Sequence, residues 1–335
     1  MKKISVVIPA YNAHNTLSRC LTSLVNQTLE DIEIIVVNDA STDDTWDIMQ
    51  SCEARFPEKL VIVNSDVNTG CGGARSIGLD MATGEYIGMA DADDYVASTM
   101  YEKLYKKAVE TGADIVDSGY YKEADDSALL TVTDELEGVL DDNKRSKLIL
   151  GGGYLVTKIV KNEILNDPPV RMQQNMAALE DLEIFNYIFL RAKSIAAVKE
   201  IFYNYCDTAG SNTKMTDINR YYDAVYRAMK GTYEKCHELP AYEGCRQAVE
   251  FMITRVYSYG VNRCIYEKIA GYGAAEKNVK KYFDDIGQDE AAMLKALAQL
   301  KKGIIHIPYD DNSNVVKMIS KLDIDIMKEC DRRFS

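Results

Sequence analysis

Over its first 120 or so positions the chain alternates between two hydrophobic patterns. "ISVVIPAY" (residues 4–11) is a nearly unbroken apolar, β-branched run, as expected of a strand buried on both faces. "TLSRCLTSLVNQ" then sets Leu17, Leu21, Leu24 and Val25 at helical spacing. "IEIIVVND" (32–39) predicts a second buried strand. "STDDTWDIMQSCEARF" predicts a helix with Ser41 or Thr42 at its N-cap and acids in its first turn. "KLVIVNSD" reads as a third strand, and "CGGARSIGLDMAT" as a short helix after a glycine-rich turn. "GEYIGMAD" reads as a fourth strand, and "STMYEKLYKKAVETG" as a helix ended by Gly112. "ADIVDSGYY" closes the series as a fifth strand.

This rhythm predicts an α/β fold, a mostly parallel sheet with helices on both faces. Such sheets bind ligands beyond the carboxyl ends of their strands. Those ends carry Tyr11 and Asn12, Asp39, Asp66 and Asn68, then Asp91 and Asp93. Polar residues therefore converge on one edge.

Further along, residues 124–147 are acidic and weakly patterned, read as a hairpin plus a short helix. Gly151-Gly152-Gly153 reads as a joint. "ALEDLEIFNYIFLRA" predicts a helix whose apolar part includes Leu179, Leu182, Ile184 and Phe185. "SIAAVKEIFYNYC" predicts a strand with Tyr203 and Tyr205 as half-buried sheet residues. From about Asp217 onward Tyr and Leu recur at helical spacing, interrupted by the loop "GIIHIPYDDNSN". The expected divisions are 1–98, 99–214 and a helical C-terminal region, 215–335.

Composition narrows the chemistry. Of 335 residues 47% are hydrophobic, enough for a sizeable core, and the formal net charge is -13. A field of that sign repels nucleic acid and anionic lipid, so nucleic acid is not an expected partner, and an anionic ligand needs a local cation. Eight cysteines occur without CxxC pairs or zinc-type spacing, which fits a reducing compartment. No charged-then-apolar leader and no apolar run of membrane-spanning length is present. A soluble cytoplasmic protein is expected, with docking at the inner face of the plasma membrane and homo-oligomerisation left open.

Asp91, Asp93 and Asp94 crowd the end of the fourth strand and must repel one another. Hard carboxylate oxygens there suit Mg²⁺ or Mn²⁺, which keep positions open for phosphate oxygens. A solvated turn capping the next helix accounts for the spacing equally well.

Together, "SVVIPAYNAHNTLSRCLTSLVNQTLEDIEIIVVNDASTDDT" and "NTGCGGARSIGLDMATGEYIGMADADD" resemble the family 2 glycosyltransferases, which have the GT-A (Rossmann-like) fold. The resemblance runs from about Ile4 to Ala97 and resumes at "LEDLEIFNYIFLRAKSIAAVKEIFYNYCDTAGSNT". It implies inverting transfer of a sugar from a UDP-sugar donor to a hydroxyl of a glycan or glycolipid acceptor, with Mn²⁺ or Mg²⁺. It also implies bacterial surface-polysaccharide work.

By that resemblance Pro9, Tyr11 and Asn12 line the base and ribose. Asp39 accepts a hydrogen bond from the uracil N–H, and Asp66 and Asn68 shape the base pocket. Arg75 holds its helix against the site near the diphosphate. Asp91 approaches the ribose, Asp93 binds the metal, and Asp181 in "LEDLEIF" is the catalytic base. Plainer roles stay open beside these: Asp39 as a cap of the next helix, Arg75 as a helix ion pair, Glu180 and Asp181 as a polar helix face. Ser76 stands where the family commonly has Asn. "GGGYLVTKIVKNEIL" keeps Lys158 without the family's usual aromatic and Asn-Lys neighbours, so the acceptor is not legible. A sugar nucleotidyltransferase would open with a Gly- and Arg-bearing loop, which "IPAYNAHNTL" lacks. A catalytically inactive nucleotide-binding scaffold has no need of intact acids at Asp39, Asp91, Asp93 and Asp181.

Overall fold

Seven consecutive buried residues, Ile4–Ala10, form strand β1, and seven more, Ile32–Asn38, form β2 beside it. Strands apolar on both faces need helices above and below. The remaining elements are α1 (Leu17–Val25), α2 (Thr45–Arg55), β3 (Leu60–Asn64), α3 (Gly70–Met81), β4 (Tyr86–Met89), β5 (Tyr95–Val96), α4 (Met100–Thr111) and β6 (Ile115–Lys122). After them come β7 (Ser127–Leu129), β8 (Gly138–Val139), α5 (Asp142–Gly151), β9 (Lys158–Lys161), α6 (Asn162–Asn166), α7 (Glu180–Arg191), β10 (Ser194–Tyr205) and α8 (Ile218–Cys236). This computed structural model describes residues 2–151, 153–208 and 218–250, with Met252. The expected loop "GIIHIPYDDNSN" and the helical pattern past Met252 lie outside the described residues.

The described residues form two compact units. The first holds residues 2–141, 153–176 and 191–208, and contains the whole sheet. The second holds 142–151, 177–190 and 218–250. The expected glycine joint at 151–153 falls where the chain passes from the second unit back to the first.

The sheet runs β3-β2-β1-β4-β9-β6-β10-β5, with β7 on β6 and β8 on β10. Strands β3, β2, β1 and β4 are parallel, so their carboxyl ends share one edge. The short β9 runs antiparallel between β4 and β6, and β10 returns parallel to β6. The mostly parallel α/β sheet with flanking helices is therefore present. Of the expected hairpin in 124–147 the turn and return strand are present, but its first arm is β6: β7 folds back antiparallel on β6, while β8 pairs with β10.

Helices cover both faces of the sheet. Gly78 of α3 sits so close to Val7 that a Cβ would lie 2.4 Å from its Cγ1. Gly88 of β4 sits beside Val6, one residue earlier and so on the opposite face. There the fully buried ring of Tyr101 from α4 fills the space a Cβ would take, its Cε1 2.8 Å away. Gly112 ends α4 in the left-handed region, φ 67°, as its position predicted. No helix among the described residues is long and apolar enough to cross a membrane.

Gly88→Ala should therefore destabilise the first unit by about 1–3 kcal/mol through overpacking against Tyr101. Denaturant unfolding checks this, and the double change Gly88→Ala, Tyr101→Leu should recover part of the loss.

Candidate active site

The candidate site lies at the carboxyl edge of β1, β2, β3 and β4, and its polar residues hold one another in place. Asn12 follows β1 with φ 47°, a left-handed conformation that Asn tolerates. Its Oδ1 accepts from Thr42 N at 2.8 Å, and its own N donates to Ser41 Oγ at 3.0 Å. Ser41 and Thr42 thus serve the end of β1 and do not cap α2 as expected. The first turn of α2 is organised instead by Asp43, whose Oδ1 accepts from Thr45 N at 3.0 Å. Pro9 is buried within β1, opposite Val37, whereas Tyr11 is 52% exposed.

Asp39, only 2% exposed, continues the strand ladder by donating its N to Ala10 O at 2.8 Å. Its Oδ1 accepts from both Thr69 N (2.7 Å) and Thr69 Oγ1 (2.9 Å). Thr69 is the N-cap residue of α3, so this carboxylate steadies α3 and not α2. Asn68 Nδ2 donates to Asp39 O at 3.1 Å, and its Oδ1 accepts from Gly70 N at 3.2 Å. The second carboxylate oxygen of Asp39 accepts no hydrogen bond from the described residues. Asp66, by contrast, is exposed and makes no hydrogen bond among them.

Arg75 projects from α3 and is almost fully buried; its Nη2 meets Asp91 Oδ1 at 2.6 Å. Arg75 and Asp91, expected as separate donor contacts, are joined as an ion pair. Asp93 is half-buried, and its Oδ2 accepts from Thr208 Oγ1 at 2.7 Å. Asp94 is 2% exposed: its Oδ2 accepts from Tyr203 OH and its Oδ1 from Cys206 N, both at 2.7 Å. Burial, then the charge of Asp91, pushes its carboxyl up to about 8. Three neighbouring carboxylates thus meet three environments, which relieves the repulsion noted in the sequence.

Tyr203 is fully buried, not half-buried as its alternation suggested. Arg19 was also missed: it donates from Nη2 to Asp93 O at 2.7 Å and stacks over the Tyr95 ring at 5.0 Å. No local signal marked Thr69, Arg19, Tyr203 or Thr208, because their partners lie 30 to 115 residues away in sequence. Lys158 is buried 3.4 Å from Asp117, on β9 beside β6.

Asp181 belongs to the second unit, half-buried in the first turn of α7. Leu179 precedes that helix with φ 65°, and Leu182 is only half-buried. The buried stretch starts instead at Glu183, which pairs with Lys235 at 2.9 Å, and runs through Leu190.

A divalent ion is implied by the family resemblance. Asp93 fits one: its Oδ1 is a hard oxygen that takes no hydrogen bond from the described residues. No group of three His, Cys, Asp or Glu side chains among them could hold a metal alone. An ion here would therefore need phosphate oxygens to complete its shell.

Residues 5–159 match the model of the family described as Glycosyl transferase family 2. A poly(ribitol-phosphate) beta-glucosyltransferase of Bacillus spizizenii is 33% identical over 209 residues, 61% of this chain and 32% of that one. The chain spans only 35%, 17% and 32% of the length of three bacterial glycosyltransferases it matches. The fold of Staphylococcus aureus TarS 1-349, solved in complex with UDP-GlcNAc, superposes with a TM-score of 0.75 at 18% identity, covering 99% of this chain and 92% of that one. A mannosyltransferase from Pyrobaculum calidifontis, solved with GDP-Man and Mn2+, gives a TM-score of 0.56 at 16% identity, covering 96% and 84%.

The Arg75–Asp91 pair should carry measurable stability. Asp91→Ala should cost about 1.5–3 kcal/mol, the scale of a hydrogen bond to a charged group. Asp66→Ala should cost almost nothing. Urea unfolding compares the two, and equal losses would contradict the assignment.

Proposed function

We infer that this chain, a member of glycosyltransferase family 2 through residues 5–159, transfers a sugar from a UDP-linked donor to an acceptor hydroxyl with inversion at the anomeric carbon. The observation that carries the reading is the sorted carboxyl edge. One buried acid keeps an oxygen open beside the end of β2, and one half-buried acid keeps an oxygen open beside the end of β4.

In this reading Asp39 accepts from the uracil N3–H through the oxygen that Thr69 leaves open. Tyr11, exposed at the end of β1, flanks the base, with Pro9, Asn12, Asp66 and Asn68 forming the surrounding wall. Asp91, oriented by Arg75, hydrogen-bonds the ribose. Asp93 would hold Mn²⁺ or Mg²⁺, and the ion when bound neutralises charge gathering on the diphosphate.

The reaction then needs a base. An acceptor hydroxyl attacks the anomeric carbon as its proton passes to Asp181. The new C–O bond forms on the face opposite the departing diphosphate, and the bond to UDP breaks, releasing UDP with its negative charge. The acceptor is a glycan or glycolipid of the bacterial surface, in keeping with the poly(ribitol-phosphate) relative. The work would be done in the cytoplasm, at or near the membrane that carries such acceptors.

Binding and turnover both test this reading. Calorimetry should show UDP, not GDP, binding in the presence of Mn²⁺. Affinity should fall in Asp39→Ala, and the Mn²⁺-dependent part should be lost in Asp93→Asn. Equal binding of UDP and GDP would sink the base assignment.

Asp181→Asn should keep donor affinity yet lower sugar transfer roughly a hundredfold or more, the scale of general-base removal. Rates of UDP release with acceptor present measure this. Normal transfer by Asp181→Asn combined with a dead Glu180→Gln would reassign the base to its neighbour.

A further inference from the structure

We propose that Asp94 is a positioning residue, which fastens the loop after β4 to the end of β10 and so fixes where Asp93 presents its carboxylate. This rests on the reading of Asp93 as the ligand of a divalent cation.

The loop has no regular structure of its own to hold it. It turns through a hydrogen bond from Asp94 N to Asp91 O, 3.1 Å, and then enters the two-residue strand β5. What holds it comes from outside. The Tyr203 hydroxyl accepts from Asp91 N at 3.1 Å and donates to Asp94 Oδ2 at 2.7 Å. One buried hydroxyl thus ties the first and last aspartates of the turn to each other and to β10. The other oxygen of Asp94 accepts from Cys206 N, just past the end of β10. Ala97 N donates to Phe202 O at 2.8 Å, continuing the attachment along the β5–β10 pairing.

Asp93, between these anchors, has both its main chain and its side chain restrained. Arg19 from α1 donates to its carbonyl. Thr208, two residues beyond Cys206, donates to its carboxylate. The bonds of Asp94 therefore hold the segment that brings Thr208 to Asp93.

A solvated turn would need none of this. Burying a carboxyl group beside another acid is costly unless its hydrogen bonds are met. Here both oxygens are met, and both partners belong to one strand end. Partners behind a metal ligand orient that ligand, and their loss weakens metal binding without touching the ion.

The experiment is calorimetric titration of the full chain with UDP, with and without Mn²⁺, beside a thermal melt. Tyr203→Phe removes the shared hydroxyl and keeps the ring. Asp94→Asn keeps the shape and alters the acceptor facing Tyr203. Each should reduce the Mn²⁺-dependent gain in UDP affinity roughly tenfold or more, the scale of such outer partners. UDP affinity without Mn²⁺ should fall by much less than the Mn²⁺-dependent gain, because the Asp91 carboxylate keeps its Arg75 partner. The double variant should lose little more than either single one, because both serve one link.

A melt that falls while the Mn²⁺-dependent gain stays at the wild-type value would overturn the proposal, leaving Asp94 a purely structural residue. If Asp94→Asn does not fold, Tyr203→Phe decides alone. A gain lost in Asp93→Asn but retained in Tyr203→Phe and Asp94→Asn removes this inference and leaves the cation reading standing. No gain even in the wild type would remove both.

Discussion

The end of β4 carries three carboxylates within four residues, and the edge of the sheet is built around keeping them there. Like charges so close cannot all stay bare in a partly buried place. Each is treated differently. Asp91 receives the guanidinium of Arg75, delivered by α3 from the neighbouring connection. Asp94 is drawn inside, hydrogen-bonded through both oxygens, and its carboxyl is pushed up to about 8. Asp93 stays half-buried, with one oxygen engaged by Thr208. A mixture of ion pairing, burial and hydrogen bonding turns a repulsive cluster into a graded one, with only Asp94 fully buried.

The same economy of polar contacts runs along the edge. Asp39 takes two hydrogen bonds on one oxygen from Thr69 and steadies α3, the helix that delivers Arg75. Asn12 joins the end of β1 to the loop after β2. These side chains rest on strands whose every residue is buried, so their starting points are fixed by the core. A rigid parallel sheet supplies position, and short polar loops supply chemistry.

How much of this the sequence made legible follows from the range of each interaction. Buried strands and amphipathic helices are written in neighbouring residues, so β1, β2, β3, β4, β6, α3, α4 and β10 could be read from period alone. Strands β5 and β8 have two residues each, too few to show a period. β9 has four, set among glycine and polar positions, and was likewise missed as a strand. Ser41 and Thr42 have the right chemistry for a cap, yet a distant partner, Asn12, claims them. The acids of the site stood out because carboxylates at strand ends are conspicuous. The groups that sort them did not: Tyr203 looked like any sheet tyrosine, and Thr208 and Arg19 like any surface residue. Glu183 was hidden by its acidic neighbours, and only Lys235, far along the chain, marks it as buried.

A chain with a net charge of -13 would face an electrostatic problem in holding the diphosphate of the proposed donor, and the described structure narrows how it can be met. The two arginines that reach the aspartate loop already serve it: Arg75 pairs with the Asp91 carboxylate, and Arg19 binds the Asp93 carbonyl. The Arg75 charge is offset by that carboxylate, whereas a neutral carbonyl leaves the Arg19 charge in place, one positive charge against the several negative charges of a diphosphate. A divalent ion adds two positive charges at one point and needs only hard oxygens to hold it. Asp93 offers such an oxygen, and phosphates would supply more. On this argument the acids at the edge are not an obstacle to binding an anionic ligand. In the proposed reading they would be the means by which an acidic protein acquires the positive charge to do so, with Arg75 holding the Asp91 carboxylate in place.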